Sequence, residues 1–318
     1  MKSFLSRSVW AWAIMIGVCA GSVTALSGAA EAQQAEAEGE AFDPHVLYYS
    51  NASFFRWNPI GLVNRTQLGY KYMLFDSDSV LLKDSYAGLS FAPQLSPSFT
   101  TLGGRFELSP LAVLRVSAQY DWVTHYGTFG TIVSSPTPNA DFSDTARDEA
   151  AENDLNYSTS GSILTLGTRL QAKVGPIAVR VQGRAIRQEL DLKDGDTVYY
   201  DLINEVMMPN GGWLYIVDSD LLYLAGPLSI GLRHSYVTTT YDDDDFLPGE
   251  STEDKNNPMQ RLGPLVAYKF DSEPGDVMGQ PTVFMLVNWW LQHRYRTGED
   301  VSQAVPYFVL GYAFNGEF

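Results

Sequence analysis

Residues 304–318 read AVPYFVLGYAFNGEF. From Ala304 to Phe314 they alternate. Ala304, Pro306, Phe308, Leu310, Tyr312 and Phe314 fall on one face of an extended chain, and Val305, Tyr307, Val309, Gly311 and Ala313 on the other. A period of two is the mark of a strand, because successive side chains of an extended backbone point to opposite faces. This strand is aromatic-rich, and the chain stops four residues later at Phe318.

The same period recurs upstream. Leu68, Tyr70, Tyr72 and Leu74 oppose Gln67, Gly69 and Lys71; Leu102, Gly104, Phe106 and Leu108 oppose Thr101, Arg105 and Glu107. The clearest case is 112–125, where Ala112, Leu114, Val116, Ala118, Tyr120 and Trp122 oppose Arg115, Ser117, Gln119, Asp121 and His125. Further alternating runs lie at 164–173, 179–185, 228–236, 262–270 and 282–296. A soluble β-sandwich also alternates, but it would not carry so many arginines inside its strands or gather its aromatics near the strand ends. Three connections share one grammar of small residue, Pro and aliphatic: Ser109-Pro110-Leu111, Gly175-Pro176-Ile177 and Gly226-Pro227-Leu228. Proline presets the turn and a new strand starts at once. Between them lie long polar segments at 127–160, 188–211 and 242–258.

The amino end has its own pattern. Lys2 and Arg7 precede an apolar stretch from Val9 to Leu26, and Ala30-Glu31-Ala32 offers an A-x-A site, which predicts a secretory signal peptide cleaved after Ala32. A membrane anchor is the alternative, but Gly17, Gly21, Ser22 and Thr24 dilute the run. Val18 stands before Cys19 where a lipobox wants a small residue, which argues against lipidation. Removing residues 1–32 removes the only cysteine, so an exported chain would be held together by something other than disulfides. A closed hydrogen-bonded barrel is one such means. No later segment approaches the ~20 consecutive apolar residues of a membrane helix. Of 21 basic and 37 acidic residues, loss of Lys2, Arg7 and Glu31 leaves 19 and 36, a net charge of −17 that argues against a nucleic-acid partner.

The signal-like amino end, the alternation and the terminal Phe318 together resemble bacterial outer-membrane β-barrel proteins as a class, porin-like, with no named family among them. In that class the final alternating strand is the targeting signal, here carried by Phe314 and Phe318, although Asn315-Gly316-Glu317 separate the two. The resemblance implies an all-β, antiparallel, transmembrane up-and-down barrel in the bacterial outer membrane, with short periplasmic turns and long extracellular loops. Its partners would be membrane lipid, lipopolysaccharide and the barrel-assembly machinery, and no cofactor is implied. The expected organisation is signal peptide 1–32, an acidic leader and periplasmic segment or first strand over 33–59, and barrel over 60–318. Residues 110–318 accommodate eight strands. Residues 44–109 hold two or four more, depending on whether Pro93 and Pro97 kink one long strand or make a hairpin, so the count is roughly 10–12.

Four sets of residues are candidates for function. Lys71, Arg105, Arg115, Arg169, Lys173, Arg180, Arg184, Arg233, Arg261, Lys269, Arg294 and Arg296 share the inward parity, 12 of the 19 remaining basic residues. Charge facing lipid costs several kcal/mol, so their inward placement is forced, but the excess of one sign is not. It predicts either a lumen that attracts anions or a closed interior in which each cation is paired. Second, Asp242, Asp243, Asp244 and Asp245 form an acidic tetrad, with more carboxylates at 138–154. Oxygen-only ligands suit Ca²⁺ or Mg²⁺, but the tetrad lacks the spacing of a dedicated calcium loop, and a loosely binding or merely solvated loop is the reading. Third, a membrane-embedded hydrolase would need a histidine beside Ser or Asp. His234 and Ser235 point to opposite faces, and His125 and Asp121 are four residues apart along a strand, so no catalytic residue is assigned, with His125 the better position if one exists. Fourth, Tyr120, Trp122, Tyr126, Trp213, Tyr215, Tyr236, Trp289, Tyr295 and Tyr312 sit mostly near strand ends, as an interfacial belt would. The function expected is a narrow passive pore favouring small anionic solutes. The alternatives are a non-conducting barrel with a salt-bridged lumen acting through its acidic loops and, more distantly, the hydrolase.

Overall fold

The computed structural model describes residues 42–128, 132–193, 195–252, 258–272, 278–297 and 304–318. The expected signal peptide over 1–32 lies outside them. In chain order the strands are β1 (His45–Trp57), β2 (Gly61–Met73), β3 (Tyr86–Phe91), β4 (Gln94–Leu95), β5 (Phe99–Leu111), β6 (Leu114–His125), β7 (Ser134–Ser135), β8 (Thr159–Val174) and β9 (Ile177–Leu190). They continue with β10 (Val198–Asp201), β11 (Val206–Pro209), β12 (Trp213–Ala225), β13 (Leu228–Thr239), β14 (Met259–Lys269), β15 (Thr282–Gln292) and β16 (Tyr307–Glu317). Among the described residues one α-helix, α1, spans Asp144–Glu152, with Ser143 as its N-cap.

Twelve antiparallel strands close into a barrel, each paired with its neighbours in sequence. β1 pairs β2 on one side and β16 on the other, from Tyr48 opposite Glu317 to Trp57 opposite Phe308. The stretch for which the sequence left a periplasmic segment or a first strand open is therefore a strand. Residues 44–109 hold four strands, because β3 and β4 are one strand broken at Ala92-Pro93: β2 and β5 pair with both pieces. Proline cannot donate to the ladder, but its carbonyl still accepts from Thr66 N at 3.1 Å. The turns after β8 and β12 fall at Gly175-Pro176 and Gly226-Pro227, both glycines at positive φ. The third proline turn sits elsewhere than expected. β5 runs through Pro110 to Leu111, with a register shift after Leu108, and the chain reverses at Ala112-Val113.

The faces are inverted relative to a water-soluble sheet. Tyr120 and Trp122 on β6, Ile230 and Leu232 on β13 and Leu310 on β16 are exposed, whereas Asp121, Arg233 and Arg261 are buried. An apolar exterior around a polar interior is the pattern a lipid solvent selects, and the chain is a barrel of the outer-membrane type. The interior is nevertheless uneven. Along β14, β15, β16 and β1 it is mainly apolar, with Leu265, Ala267, Phe284, Leu286, Val309, Ala313, Ala52 and Phe54 in one core. Gly311 is what lets that wall close. A Cβ there would stand 1.9 Å from Phe284 Cζ, so the ring occupies the space of the missing side chain. Phe284 in turn packs on Phe54, with centroids 5.6 Å apart.

Gly311→Val should therefore lower unfolding stability by about 1–3 kcal/mol through overpacking, read as the urea midpoint of the barrel refolded in micelles. Adding Phe284→Ala should recover part of the loss. A double variant as unstable as the sum of the two singles would mean that the ring and the glycine are not coupled.

Candidate functional site

The register of β9, β12 and β13 builds the centre of the lumen. Asp220 stands opposite Arg180 on one side and Arg233 on the other. Arg180 Nε donates to Asp220 Oδ2 at 2.8 Å, and Arg233 donates through Nε at 2.6 Å and Nη2 at 2.8 Å. Two residues away on the same face, Asp218 accepts from Arg184 at 2.8 Å and from Ser235 Oγ at 2.6 Å. Across β5 and β6, Glu107 holds Arg105 at 3.2 Å and Arg115 at 3.7 Å, and Arg105 also donates to Gln119. Between these groups a void of about 20 Å³ remains, lined by Arg105, Arg115, Arg169 and Arg184, room for about one water. Arg233 and Asp220 have no solvent exposure. Burying such charges is tolerable only because each is held by partners in register.

The other basic residues are placed differently. Lys71 lies 3.8 Å from Glu317 and over the rings of Tyr48 and Tyr86. Arg261 lies over Tyr307 and Trp290, 4.1 and 4.8 Å from the ring centroids. Arg169 is buried opposite Arg115, while Lys173 and Lys269 are half-buried at the ends of β8 and β14. Arg294 and Arg296 are not on the wall at all. β15 ends at Gln292 and the chain turns through 294–296, so strand parity no longer applies. Arg296 instead bridges Glu205 at 2.8 Å and Asp144 at 3.0 Å, and Arg294 donates to Asn139 O.

These contacts reveal a plug. The segments at 127–160 and 188–211, read from sequence as polar outer loops, supply β7, β10 and β11, a separate three-stranded sheet. Val198, Tyr199, Tyr200, Val206, Met207 and Met208 on it are all buried. Tyr199, Val206 and Met208 join the core of the barrel wall, and Tyr200 stacks on Phe142 at 5.4 Å. The signal was present in the apolar runs Val198-Tyr199-Tyr200 and Val206-Met207-Met208, which the surrounding acidic residues masked. Arg56 Nη1 donates to Ile203 O at 3.0 Å, and His293 Nε2 lies 3.0 Å from Glu205 O, tying the plug to the wall.

Between plug and wall lies a cavity of about 830 Å³. It forms where the wall is low: at the plug's end of the barrel β1–β2 and β4–β5 are joined by short turns, at 58–60 and 96–98, whereas every later connection at that end is long. Its walls include Phe54, Phe99, Val123, Ile163, Ile186 and Tyr307. The charged lining is balanced, with Arg56, Arg65, Arg147 and Arg296 against Asp121, Asp144, Asp148 and Asp201. His125, the position kept for a hydrolase, also lines it, with its ring Nε2 3.3 Å from Gln188. Among the described residues no histidine ring is hydrogen-bonded to a serine or a carboxylate side chain. Asp243–Asp245 form one turn of 3-10 helix, with Asp242 N donating to Asp245 Oδ2 at 2.8 Å, and Asp242, Asp243 and Asp244 are exposed. No group of three metal-ligating side chains occurs among the described residues. At the chain end Phe314 packs on Tyr312 outside the barrel, and Phe318 packs on Tyr49 with centroids 5.1 Å apart.

No family model and no curated protein matches the chain. Solved structures do. A KdgM porin is 9% identical over 84% of this chain and 98% of its own, with a TM-score of 0.37. A CymD monoaromatic hydrocarbon channel is 9% identical over 87% and 89%, at 0.37, and LpxR from Salmonella typhimurium is 9% identical over 84% and 99%, at 0.38. At such scores these likenesses say nothing of this chain's cargo or chemistry.

The plug's docking should depend on pH. Burial acts to raise the Asp144 pKa, but hydrogen bonds and charge pairing with Arg296 and Arg147 outweigh it and hold the carboxyl below its ordinary value of 3.8. A carboxylate lowered in this way stabilises the folded loops at any pH above the ordinary value, and ceases to as pH falls through the lowered one. Hydrogen-exchange protection of α1, corrected for intrinsic rates, should stay flat from neutral pH down to about pH 5 and decline only below about pH 4. Asp144→Asn should show the weakened protection already at neutral pH.

Proposed function

We propose that the protein is a gated transport barrel of the bacterial outer membrane, exported with cleavage near Ala32, whose lumen is shut at rest by the ionic layer. The observation that carries this reading is the Arg180–Asp220–Arg233 cluster, flanked by Arg184–Asp218 and Arg105–Glu107–Arg115, across the middle of the barrel. An open anion-favouring pore needs cations that a passing ion can reach. Here Lys71, Arg105, Arg115, Arg180, Arg184 and Arg233 each stand in an ion pair, the five arginines sharing Glu107, Asp218 and Asp220, and the packed side chains fill the space that an ion would use. Buried ion clusters add little net stability compared with apolar packing. Their concentration in one layer, below the plug, therefore favours a switchable barrier over a structural filler. A solute crossing the barrel would have to part that layer.

Conductance in planar bilayers tests the reading. The natural chain should show no steady current at neutral pH. Asp218→Asn with Asp220→Asn, which takes the paired carboxylates from Arg180, Arg184 and Arg233, should produce anion-selective openings. A steady current from the natural chain would restore the open anion pore in its place. A folded double variant without current would make the layer a permanent plug and end the gating proposal.

A further inference from the structure

We propose that the cavity between plug and wall is a binding site for a small, uncharged, mainly apolar molecule. The inference goes beyond the gating reading and does not depend on it, because it concerns the space above the ionic layer and not passage through it. Three observations carry it. The first is size: about 830 Å³ lies within the ~300–1,000 Å³ range of sites that enclose small organic molecules. The second is the wall. Phe54, Phe99, Val123, Ile163, Ile186 and Tyr307 come from different strands and from both ends of the chain, so the apolar surface surrounds the space and is not one exposed face. Water held among such side chains gains little and is readily displaced by an apolar solute.

The third observation is the charge balance, which chooses between an ion and a neutral ligand. Four arginines face four aspartates around the cavity, and Arg147 and Arg296 already engage Asp144. The formal charges of the lining cancel, so no excess charge is left to offset the desolvation of an ionic ligand. Uncharged polar groups among the apolar ones, such as Gln119 and Thr165, suit orientation by a hydrogen bond. The way in is apolar too. At the β1–β2 tip, inward Phe54 and Arg56 line the same space as outward Phe55, Trp57 and Leu62. Beside it the pairing of β2 with β4 ends at Asn64 opposite Leu95, so Gly61–Val63 lie beyond the ladder on that side.

The test uses the expected mature chain, residues 33–318, in lipid nanodiscs, with empty nanodiscs as blank. Two fluorescent probes share one aromatic body: N-phenyl-1-naphthylamine is neutral, and 8-anilinonaphthalene-1-sulfonate carries a sulfonate. The neutral probe should bind saturably above the blank, and the sulfonate about tenfold or more weaker. Val123→Trp and Ile163→Trp, which fill the cavity, should each weaken the neutral probe by about tenfold or more. A third arm removes any dependence on folding of the filled variants. Residues 33–318 contain no cysteine, so Ile60→Cys, at an exposed rim position, can be folded first and then blocked with a bulky maleimide, which should lower probe uptake severalfold. Equal or tighter binding of the sulfonate, no saturable binding of the neutral probe, or unchanged binding after both filling and blocking would each overturn the proposal. A closed or conducting ionic layer would leave every one of these readings where it is.

Discussion

Every backbone amide that meets lipid must find its partner inside the protein, since hydrocarbon offers none. In this chain that requirement is met by the ladder between β1 and β16, which runs from Tyr48–Glu317 to Trp57–Phe308 and removes the last free sheet edge. Closure has consequences well beyond the seam. Once the sheet is a cylinder, one parity of every strand faces lipid and the other faces a confined interior. Charges must then take the inner parity, and the inner residues must fill the space or line it. The break at Ala92-Pro93 is tolerated because β2 and β5 bridge both of its halves, so the cylinder stays shut.

Inside the cylinder two solutions to filling coexist. The wall from β14 through β1 uses shape: Phe284 lies over Gly311 and against Phe54. The wall from β5 through β13 uses charge, with carboxylates placed by register between arginines. The division explains why the closing strand carries no inward charge until Glu317 at its end, although most of its predecessors do. Register makes the ionic half specific, since a slip of one residue on β12 would turn Asp218 and Asp220 out to lipid and strand three guanidinium groups.

Loop length then shapes the upper half. Of the long connections after β6, β9, β13 and β15, the first two send apolar residues into the wall core and the others place Tyr241 and Tyr295 against the plug's own cluster, while the short turns at 58–60 and 96–98 leave the opposite rim low. The cavity is what lies between a plug hung from one side and a low wall on the other. Its balanced lining follows from that origin. Plug residues Asp144, Arg147 and Asp201 meet wall residues Arg56 and Arg65 in one enclosure, whereas the ionic layer below belongs to the wall alone.

How much of this the amino-acid sequence determined depends on range. Alternation is local: two neighbouring residues are enough to say which faces lipid. The barrel class, the inward parity of Arg105, Arg180 and Arg233, and the eight strands after residue 110 were therefore legible in the order of residues alone. The choice between two and four strands over 44–109 was not, because a proline break reads the same whether the chain continues or reverses, and only pairing with β2 and β5 decides. Arg294 and Arg296 were assigned to a strand that stops at Gln292, since nothing local announces where a partner runs out. The plug was hidden in the same way: Val198-Tyr199-Tyr200 and Val206-Met207-Met208 are short apolar runs amid acidic residues, and their burial depends on a wall contributed by strands far away in sequence. Sequence settled the solvent each strand faces, a matter of adjacent residues; tertiary structure decided which charges meet and what space remains, because register, loop reach and closure join residues that the chain holds apart.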